Sequence, residues 1–111
     1  MRIGIDLQGM QSEGSSSRGI GRYSFEIVQN LIQSSPKDHF LLIANASLKN
    51  LEKQFKSQLE LKNVCYFEWS SPCPFDYLSS NQNLYDLALY IKSYACSCLN
   101  LDIVIITSYL E

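Results

Sequence analysis

Short apolar runs alternate with stretches in which hydrophobic residues recur every three or four positions. A short or continuous apolar run bounded by polar residues predicts a strand, and the longer period predicts an amphipathic helix. The predicted strands are Arg2–Leu7, His39–Ala44, Val64–Trp69 and Asp102–Thr107, and the predicted helices run from about Gly21 to Ser34, from a cap at Ser47 to Leu59, and from about Leu84 to Leu99. Strands that alternate with helices indicate an α/β fold.

Right-handed crossovers between parallel strands would place the four strands in the order 3-2-1-4. We therefore predict a Rossmann-like parallel sheet of about four strands with three helices. In such a sheet, ligands bind beyond the carboxyl ends of the strands where the strand order reverses. Asp6–Gly9, Arg18–Ser24 and Thr107–Glu111 should converge there. Gln8–Ser17 and Ser70–Asn83 have no hydrophobic period, so both are predicted to be loops.

The periodicity also assigns individual side chains to the core. In the first strand, Ile3, Ile5 and Leu7 share one face, while Gly4 permits close packing on the other. We expect Cys65 to lie in the core of the third strand. The apolar stripes of the helices are predicted to be buried: Ile20, Tyr23, Ile27, Val28, Leu31 and Ile32 in the first; Leu48, Leu51, Phe55 and Leu59 in the second; Leu84, Leu87, Ala88, Ile91, Ala95 and Cys98 in the third.

Composition narrows the function classes. The chain has 111 residues, 46% of them hydrophobic and 18% charged, with a formal net charge of -2, which fits one ordinary domain. Nine Lys and Arg against eleven Asp and Glu argue against nucleic acid as a partner. Apolar runs such as Phe40–Ala44 and Ile103–Ile106 are far too short to span a membrane, and no signal peptide is recognised at the amino terminus. We therefore expect a cytoplasmic protein.

Metal and thiol chemistry are not expected. The four cysteines have no C-x2-C spacing, and His39 is the one histidine in the sequence. A cytoplasmic chain would keep these thiols reduced. Neither a metal nor a cofactor is therefore predicted, and His39, at the start of a strand, is expected to be structural or solvated.

The segment Arg18-Gly19-Ile20-Gly21-Arg22-Tyr23-Ser24 is the strongest candidate site. It opens the first long helix, whose initial N–H groups favour anions, and its two glycines allow a ligand to approach the backbone closely. Arg18 and Arg22 add positive charge with forked donors. The segment predicts a phosphate- or carboxylate-binding corner, and the alternative is a tight turn with solvated arginines.

Other phosphate-binding and catalytic motifs are absent or misplaced. Gly19-x-Gly21-x-x-Ser24 approaches a dinucleotide fingerprint, but Gly19 lies about a dozen residues after the strand rather than directly after it. Asp6 lacks the acidic neighbour of a phosphate-accepting receiver domain. The sequence contains no Gly-Lys-Ser/Thr of a P-loop, and one histidine with no partners gives no Ser-His-Asp arrangement.

Both ends of the chain resemble a known enzyme family. Met1-Arg2-Ile3-Gly4-Ile5-Asp6 and Arg18–Ser24, together with the closing Asp102-Ile103-Val104-Ile105-Ile106-Thr107-Ser108-Tyr109-Leu110-Glu111, resemble the amino-terminal domain of retaining glycosyltransferases of family four. These enzymes have the GT-B fold, in which two Rossmann-like domains face each other across a cleft. The resemblance implies transfer of a sugar from a nucleotide-sugar to a carbohydrate or glycolipid acceptor, with surface-polysaccharide synthesis as the setting.

The resemblance also implies roles for particular residues. Gly19 and Gly21 would offer backbone N–H groups to the donor diphosphate, and Arg22, with Arg18, would neutralise charge on the leaving group. Ser108 and Glu111 would lie near the acceptor; the simpler interpretation, which is favoured for these two residues, is that Ser108 ends the strand and Glu111 is a frayed terminus. No histidine follows the fourth strand, where many relatives have one.

The chain is shorter than the family's amino-terminal domain and contains no donor domain. We therefore expect a partial amino-terminal, acceptor-side domain at residues 1–111 that is inactive by itself. The alternatives are a free-standing module that binds a phosphate or nucleotide without catalysis, and a flavodoxin-like scaffold without a ligand. The fourth strand would form an apolar sheet edge, so self-association through it is also expected.

Overall fold

The structure is a four-stranded parallel sheet with helices on both faces. A computed structural model describes residues 1–11, 19–71 and 81–107, without the side chain of Ile20. The elements are β1 (Arg2–Asp6), α1 (Gln8–Gln11), α2 (Gly19–Ser34), β2 (His39–Asn45), α3 (Lys56–Leu59), β3 (Val64–Trp69), α4 (Gln82–Ser97) and β4 (Ile103–Ile106). The strand order is β3-β2-β1-β4, so the predicted order is confirmed.

The central strand, β1, contributes to a different core on each face of the sheet. On one face, called the α2 face, Ile3, Ile5 and Leu7 pack with Val28 and Ile32 of α2. On the opposite face, called the α4 face, the chain has a second, smaller core, which joins the sheet to α4 and consists of Ile43, Trp69 and Ala88 with partly buried neighbours. Helices on both faces explain why β2 is a continuous apolar run with only its first residue exposed.

Gly4 permits close packing on the α4 face, as the sequence predicts. A Cβ atom at this position would lie 2.6 Å from Cδ1 of Leu101 and 3.0 Å from Cδ1 of Ile43. Both distances are shorter than normal contacts between carbon atoms, so a larger side chain would force its neighbours to move. The glycine therefore allows Leu101 and Ile43 to close over β1.

The end of α4 is fastened to the start of β1. The Arg2 guanidinium donates to the Leu99 carbonyl from Nε (3.1 Å) and Nη2 (2.9 Å). The Arg2 backbone N–H donates to Asp102 Oδ2 at 2.7 Å, and the Asp102 N–H donates to the Arg2 carbonyl. Asn100, with φ of 54°, provides the left-handed residue that turns the chain from helix to strand. These contacts set β4 beside β1.

The predicted second helix is wrong for most of its length. Ser47 does not cap it, because the Ser47 N–H donates to Asn45 Oδ1, and the Glu52 N–H donates to Asn50 Oδ1. Such local side-chain bonds compete with helix formation, so only Lys56–Leu59 forms a helical turn. The predicted stripe is nevertheless buried at Leu51 and Phe55.

The remaining differences concern element ends and exposure. A short helix, α1, occupies Gln8–Gln11, within the predicted loop, so the described residues contain four helices rather than three. Asn81 caps α4 by accepting from the Leu84 N–H at 3.2 Å, so that helix begins earlier than predicted. Some side chains predicted to be buried are exposed: Tyr23 and Leu87 on the helices, Cys65 on the edge strand β3, and Cys98 after the last turn of α4. None of the described helices combines the length and hydrophobicity that a membrane span requires.

We predict that Gly4→Val destabilises the fold by about 1–3 kcal/mol, the usual cost of overpacking. The measurement is urea unfolding followed by circular dichroism. Because the new side chain meets Leu101, adding Leu101→Ala should recover part of the loss. Fully additive losses in the double variant would contradict this account of the packing.

Candidate functional site

The carboxyl ends of β1 and β4 meet the first turns of α2. Thr107 Oγ1, directly after β4, donates to the Asp6 carbonyl at 3.1 Å. Ser24 Oγ, on α2, donates to the Thr107 carbonyl at 3.4 Å, a long hydrogen bond. The described parts of the three segments that were expected to converge are therefore in contact. This edge of the sheet, formed by Asp6, the start of α2 and Thr107, is called the switch-point edge.

The predicted anion-binding residues occupy the first turns of α2. The helix begins at Gly19, Gly21 is buried, and Arg22 is exposed on its surface. Ser24 is fully buried and holds the helix against Thr107, so its role here is to position the helix. Arg18, Ser108 and Glu111 lie outside the described residues. The structure thus gives positions for Gly19, Gly21 and Arg22 only.

A buried ion pair, which the sequence analysis did not identify, lies beside this edge. Lys92 Nζ of α4 lies 2.5 Å from Asp6 Oδ2, and the two side chains are 14% and 4% exposed. The other Asp6 oxygen, Oδ1, accepts from the Gln8 N–H at 3.0 Å, while Lys92 Nζ also donates to Gln8 Oε1 at 3.3 Å. Lys92 Nζ lies 5.8 Å from the Trp69 ring centroid, within cation–π range. Both charges are therefore well compensated.

The signal for this pair is visible only in retrospect. Asp6 ends an otherwise apolar strand, and Lys92 is the one basic residue of α4. Its neighbours Ala88, Ile91 and Ala95 belong to the buried face of that helix. A cation beside an apolar helix stripe and an anion at the end of a buried strand are each unusual. The sequence alone does not show that the two form a pair, because this depends on how α4 packs against β1.

A pocket of about 300 Å³ lies between α4 and β4 on the α4 face. Its described lining is mostly apolar, and its two charged groups are the paired Asp6 and Lys92. The lining residues are Asp6, Leu89, Lys92, Ser93, Cys96, Val104 and Ile106. Because the ion pair is internally neutralised, this pocket offers little free charge to an anionic ligand.

Two buried donors lie at the carboxyl ends of the neighbouring strands β2 and β3. Asn45 and Trp69 are register partners, and neither Asn45 Nδ2 nor Trp69 Nε1 has a hydrogen-bond acceptor among the described residues. Asn45 is otherwise well bonded, since its backbone N–H and carbonyl both pair with the Gln11 side chain. An acceptor oxygen at this edge, from a ligand or from water, would satisfy such donors.

The surroundings of the Cys96 thiol favour its protonated, unreactive form. Burial raises its pKa, the nearby Asp6 carboxylate raises it further, and Lys92 partly opposes both. Only the thiolate is a good nucleophile, so this environment disfavours reaction. In the described parts of the chain, no three His, Cys, Asp or Glu side chains are grouped closely enough to hold a metal ion.

Comparison of the chain with protein-family models, with curated proteins and with solved structures gave no match. The fold and the contacts at the switch-point edge are therefore the observations from which a function is argued.

We predict that Lys92→Met lowers the free energy of unfolding by about 3 kcal/mol, because Asp6 would keep a buried charge without its cation. Urea unfolding measures this loss. The double variant Asp6→Asn/Lys92→Met should recover part of it, since neither charge remains. Lys62→Met, at an exposed lysine, is the control and should change stability by less than about 0.5 kcal/mol. An equally mild effect of Lys92→Met would show that the pair does not stabilise the fold.

We predict that alkylation of Cys96 by iodoacetamide lags behind that of the exposed Cys65. The raised pKa of the Cys96 thiol keeps it protonated to higher pH, so its rate should rise at a higher pH than that of a cysteine in an unfolded reference peptide included in the same reaction. Mass spectrometry of each cysteine peptide over a pH series gives both profiles. Superimposable profiles would contradict the assigned environment.

Proposed function

We propose that this chain forms the acceptor-side, amino-terminal part of a retaining glycosyltransferase with the GT-B fold. The observation that carries the proposal is the position of the first turns of α2, at the carboxyl edge of a parallel sheet and against the end of β4. Open α/β sheets bind ligands at this place. The resemblance of Arg18–Ser24 to the family's glycine-rich segment supplies the choice of ligand.

The proposed ligand at the switch-point edge is the diphosphate of a nucleotide-sugar. Backbone N–H groups in the first turn of a helix point outward from its amino end, where they can bind such an anion. The helix dipole also favours negative charge there. Neither Gly19 nor Gly21 has a side chain in the way of an approaching anion; Gly21 is itself buried, so its N–H would be reached only from the amino end of the helix. Arg22, exposed on the same turn, brings a permanent positive charge.

In the proposed reaction these groups act on the leaving group. As the bond from the sugar to the diphosphate breaks, negative charge accumulates on the departing phosphate oxygen. Fixed N–H dipoles and the Arg22 guanidinium, with Arg18 beside it in sequence, would stabilise that charge in the transition state. The nucleotide would be held by a second domain, and Ser108 and Glu111 would lie toward the acceptor. A nucleotide-sugar is a substrate here, so the proposal requires no cofactor.

We expect Arg22→Ala to lower the rate of sugar transfer at least about tenfold, because a charge-assisted contact worth about 1.5–3 kcal/mol would be lost. The assay expresses the whole reading frame of the source gene and measures release of nucleoside diphosphate from UDP- and GDP-sugars. Lys37→Ala is the matched control, since Lys37 is an exposed cation just before the amino end of β2. That variant should retain the full rate.

Two results would count against the proposal in different ways. An unchanged rate in Arg22→Ala would remove Arg22 from the site while leaving the transferase assignment intact. Binding of UDP or GDP that depends on Arg22, without any release from nucleotide-sugars, would favour a phosphate-binding module instead. If the protein neither binds UDP or GDP nor releases them from nucleotide-sugars, the proposed site is overturned.

A further inference from the structure

We propose that Gln11 is the residue that positions the first turns of α2 at the switch-point edge. Its side-chain amide holds the short helix α1 against the end of β2, and α1 in turn supports the start of α2. The inference rests on the proposed function in one respect, because the ligand bound by these turns is the proposed diphosphate. The position of α2 itself is testable without a ligand.

The Gln11 side chain makes three hydrogen bonds of good length to the backbone at the end of β2. Its Nε2 donates to the Asn45 carbonyl at 2.9 Å and to the Lys49 carbonyl at 2.8 Å. Its Oε1 accepts from the Asn45 N–H at 2.9 Å. Gln11 is 2% exposed, so water competes little for these bonds. The amide is therefore a clamp between α1 and β2.

The Gln11 amide takes the place that a further residue of β1 would have beside β2. Backbone pairing extends to Leu7, whose N–H donates to the Ile43 carbonyl at 2.8 Å. The chain then turns away into α1, and the Gln11 side chain reaches back to the β2 backbone at Asn45. A carboxamide has the oxygen and N–H groups of a peptide, so it pairs with both backbone groups of Asn45. An apolar or shorter side chain cannot do this.

Helix α1 passes the effect of this clamp to α2. All four of its residues, Gln8–Gln11, are buried, and the helix contacts both β2 and α2. Met10 of α1 lies in the same core as Val28 of α2. Because α1 directly follows the carboxyl end of β1 and α2 begins at that same edge, α1 supports the amino-terminal part of α2.

The two ends of α1 are held by different glutamines. At the first residue, the Gln8 N–H donates to Asp6 Oδ1 at 3.0 Å, and Gln8 Oε1 accepts from Lys92. Gln11 is the last residue of α1. A helix of one turn is not stable by itself, so its place is set by such side-chain contacts. The end of α1 that leads toward α2 therefore depends on Gln11.

The start of α2 needs this support because its other contact is weak. The hydrogen bond from Ser24 Oγ to the Thr107 carbonyl is long, at 3.4 Å. Helix N–H groups hold an anion only within hydrogen-bond distance, so they must be in place before the ligand arrives. Turns that have lost their support must be ordered again on binding, and that ordering reduces affinity.

The test compares Gln11→Met with a matched control, Asn63→Leu. Methionine is close to glutamine in length and adapts to its surroundings, but it has no amide, so Gln11→Met removes all three bonds. Asn63 Nδ2 donates to the Asp38 carbonyl at 2.8 Å, which is also a bond from a side-chain amide to a backbone carbonyl. It lies at the amino edge of the sheet, far from α1, and leucine keeps its branched shape.

Native-state hydrogen exchange followed by NMR measures the effect without a ligand. The N–H groups of residues 23–25 close the first turn of α2, because in a helix each bonds the carbonyl four residues earlier. In Gln11→Met their exchange should accelerate at least about tenfold more than that of residues 30–32, near the other end of the helix. In Asn63→Leu the two ends should change alike.

Titration of the same chains with inorganic pyrophosphate measures the effect on binding. The dissociation constant, taken from the Gly19 and Gly21 amide shifts, should rise at least about fivefold in Gln11→Met. It should change by less than about twofold in Asn63→Leu. If the native chain binds no pyrophosphate, the proposed diphosphate site fails, and the exchange rates still decide whether Gln11 positions α2.

A second variant keeps the test decisive if Gln11→Met does not fold. Gln11→Glu, measured at about pH 5, keeps an oxygen acceptor for the Asn45 N–H, and burial favours its protonated form, which can donate to one carbonyl. Its exchange rates at residues 23–25 should exceed those of the native chain and stay below those of Gln11→Met. The proposal is overturned if residues 23–25 lose no more protection, relative to residues 30–32, in the Gln11 variants than in Asn63→Leu. Unchanged pyrophosphate affinity in those variants, with binding by the native chain, would overturn it too.

Discussion

The structure depends on one constraint: β1, a strand of five residues, must pack against different groups on its two faces, with alternate residues facing each side. Ile3 and Ile5 fill the α2 face, while Gly4 and Asp6 serve the α4 face by leaving space and by binding Lys92. Because β1 lies between β2 and β4, its contacts on the two faces hold the helices of both faces against the sheet. The last residue of the same strand, Asp6, also leads into the switch-point edge, so folding and the candidate site share one element.

Much of this fold can be predicted from the sequence. The hydrophobic period is a local property of each segment, and the right-handedness of crossovers between parallel strands is a general rule. The four strands, the order 3-2-1-4 and the close packing at Gly4 are predicted correctly. The second helix fails because Asn45 and Asn50 form local turns with following N–H groups, and the hydrophobic stripe on which the prediction rested does not reflect that competition. The prediction for Cys65 fails because the period places a residue only on a face; the predicted order already made β3 an edge strand, and on this edge the face that carries Cys65 is not covered.

The site is less predictable than the fold, for a physical reason. Gly19, Gly21 and Arg22 are close in sequence, so a motif can identify them. The Asp6–Lys92 pair is separated by more than eighty residues and forms only when α4 crosses the sheet. No periodicity encodes such a contact. The same holds for the bonds that join Ser24 and Asp6 to Thr107, which bring three separate segments to one edge.

The central claim, that the first turns of α2 bind a diphosphate, is tested most directly by NMR. Amide shifts of the ¹⁵N-labelled chain would be followed during titration with UDP and with inorganic pyrophosphate. The account predicts saturable shifts at Gly19, Gly21 and Arg22, smaller ones at Thr107, and none at Lys37 before the amino end of β2. Shifts confined to other surfaces, or no shifts at saturating ligand, would contradict it.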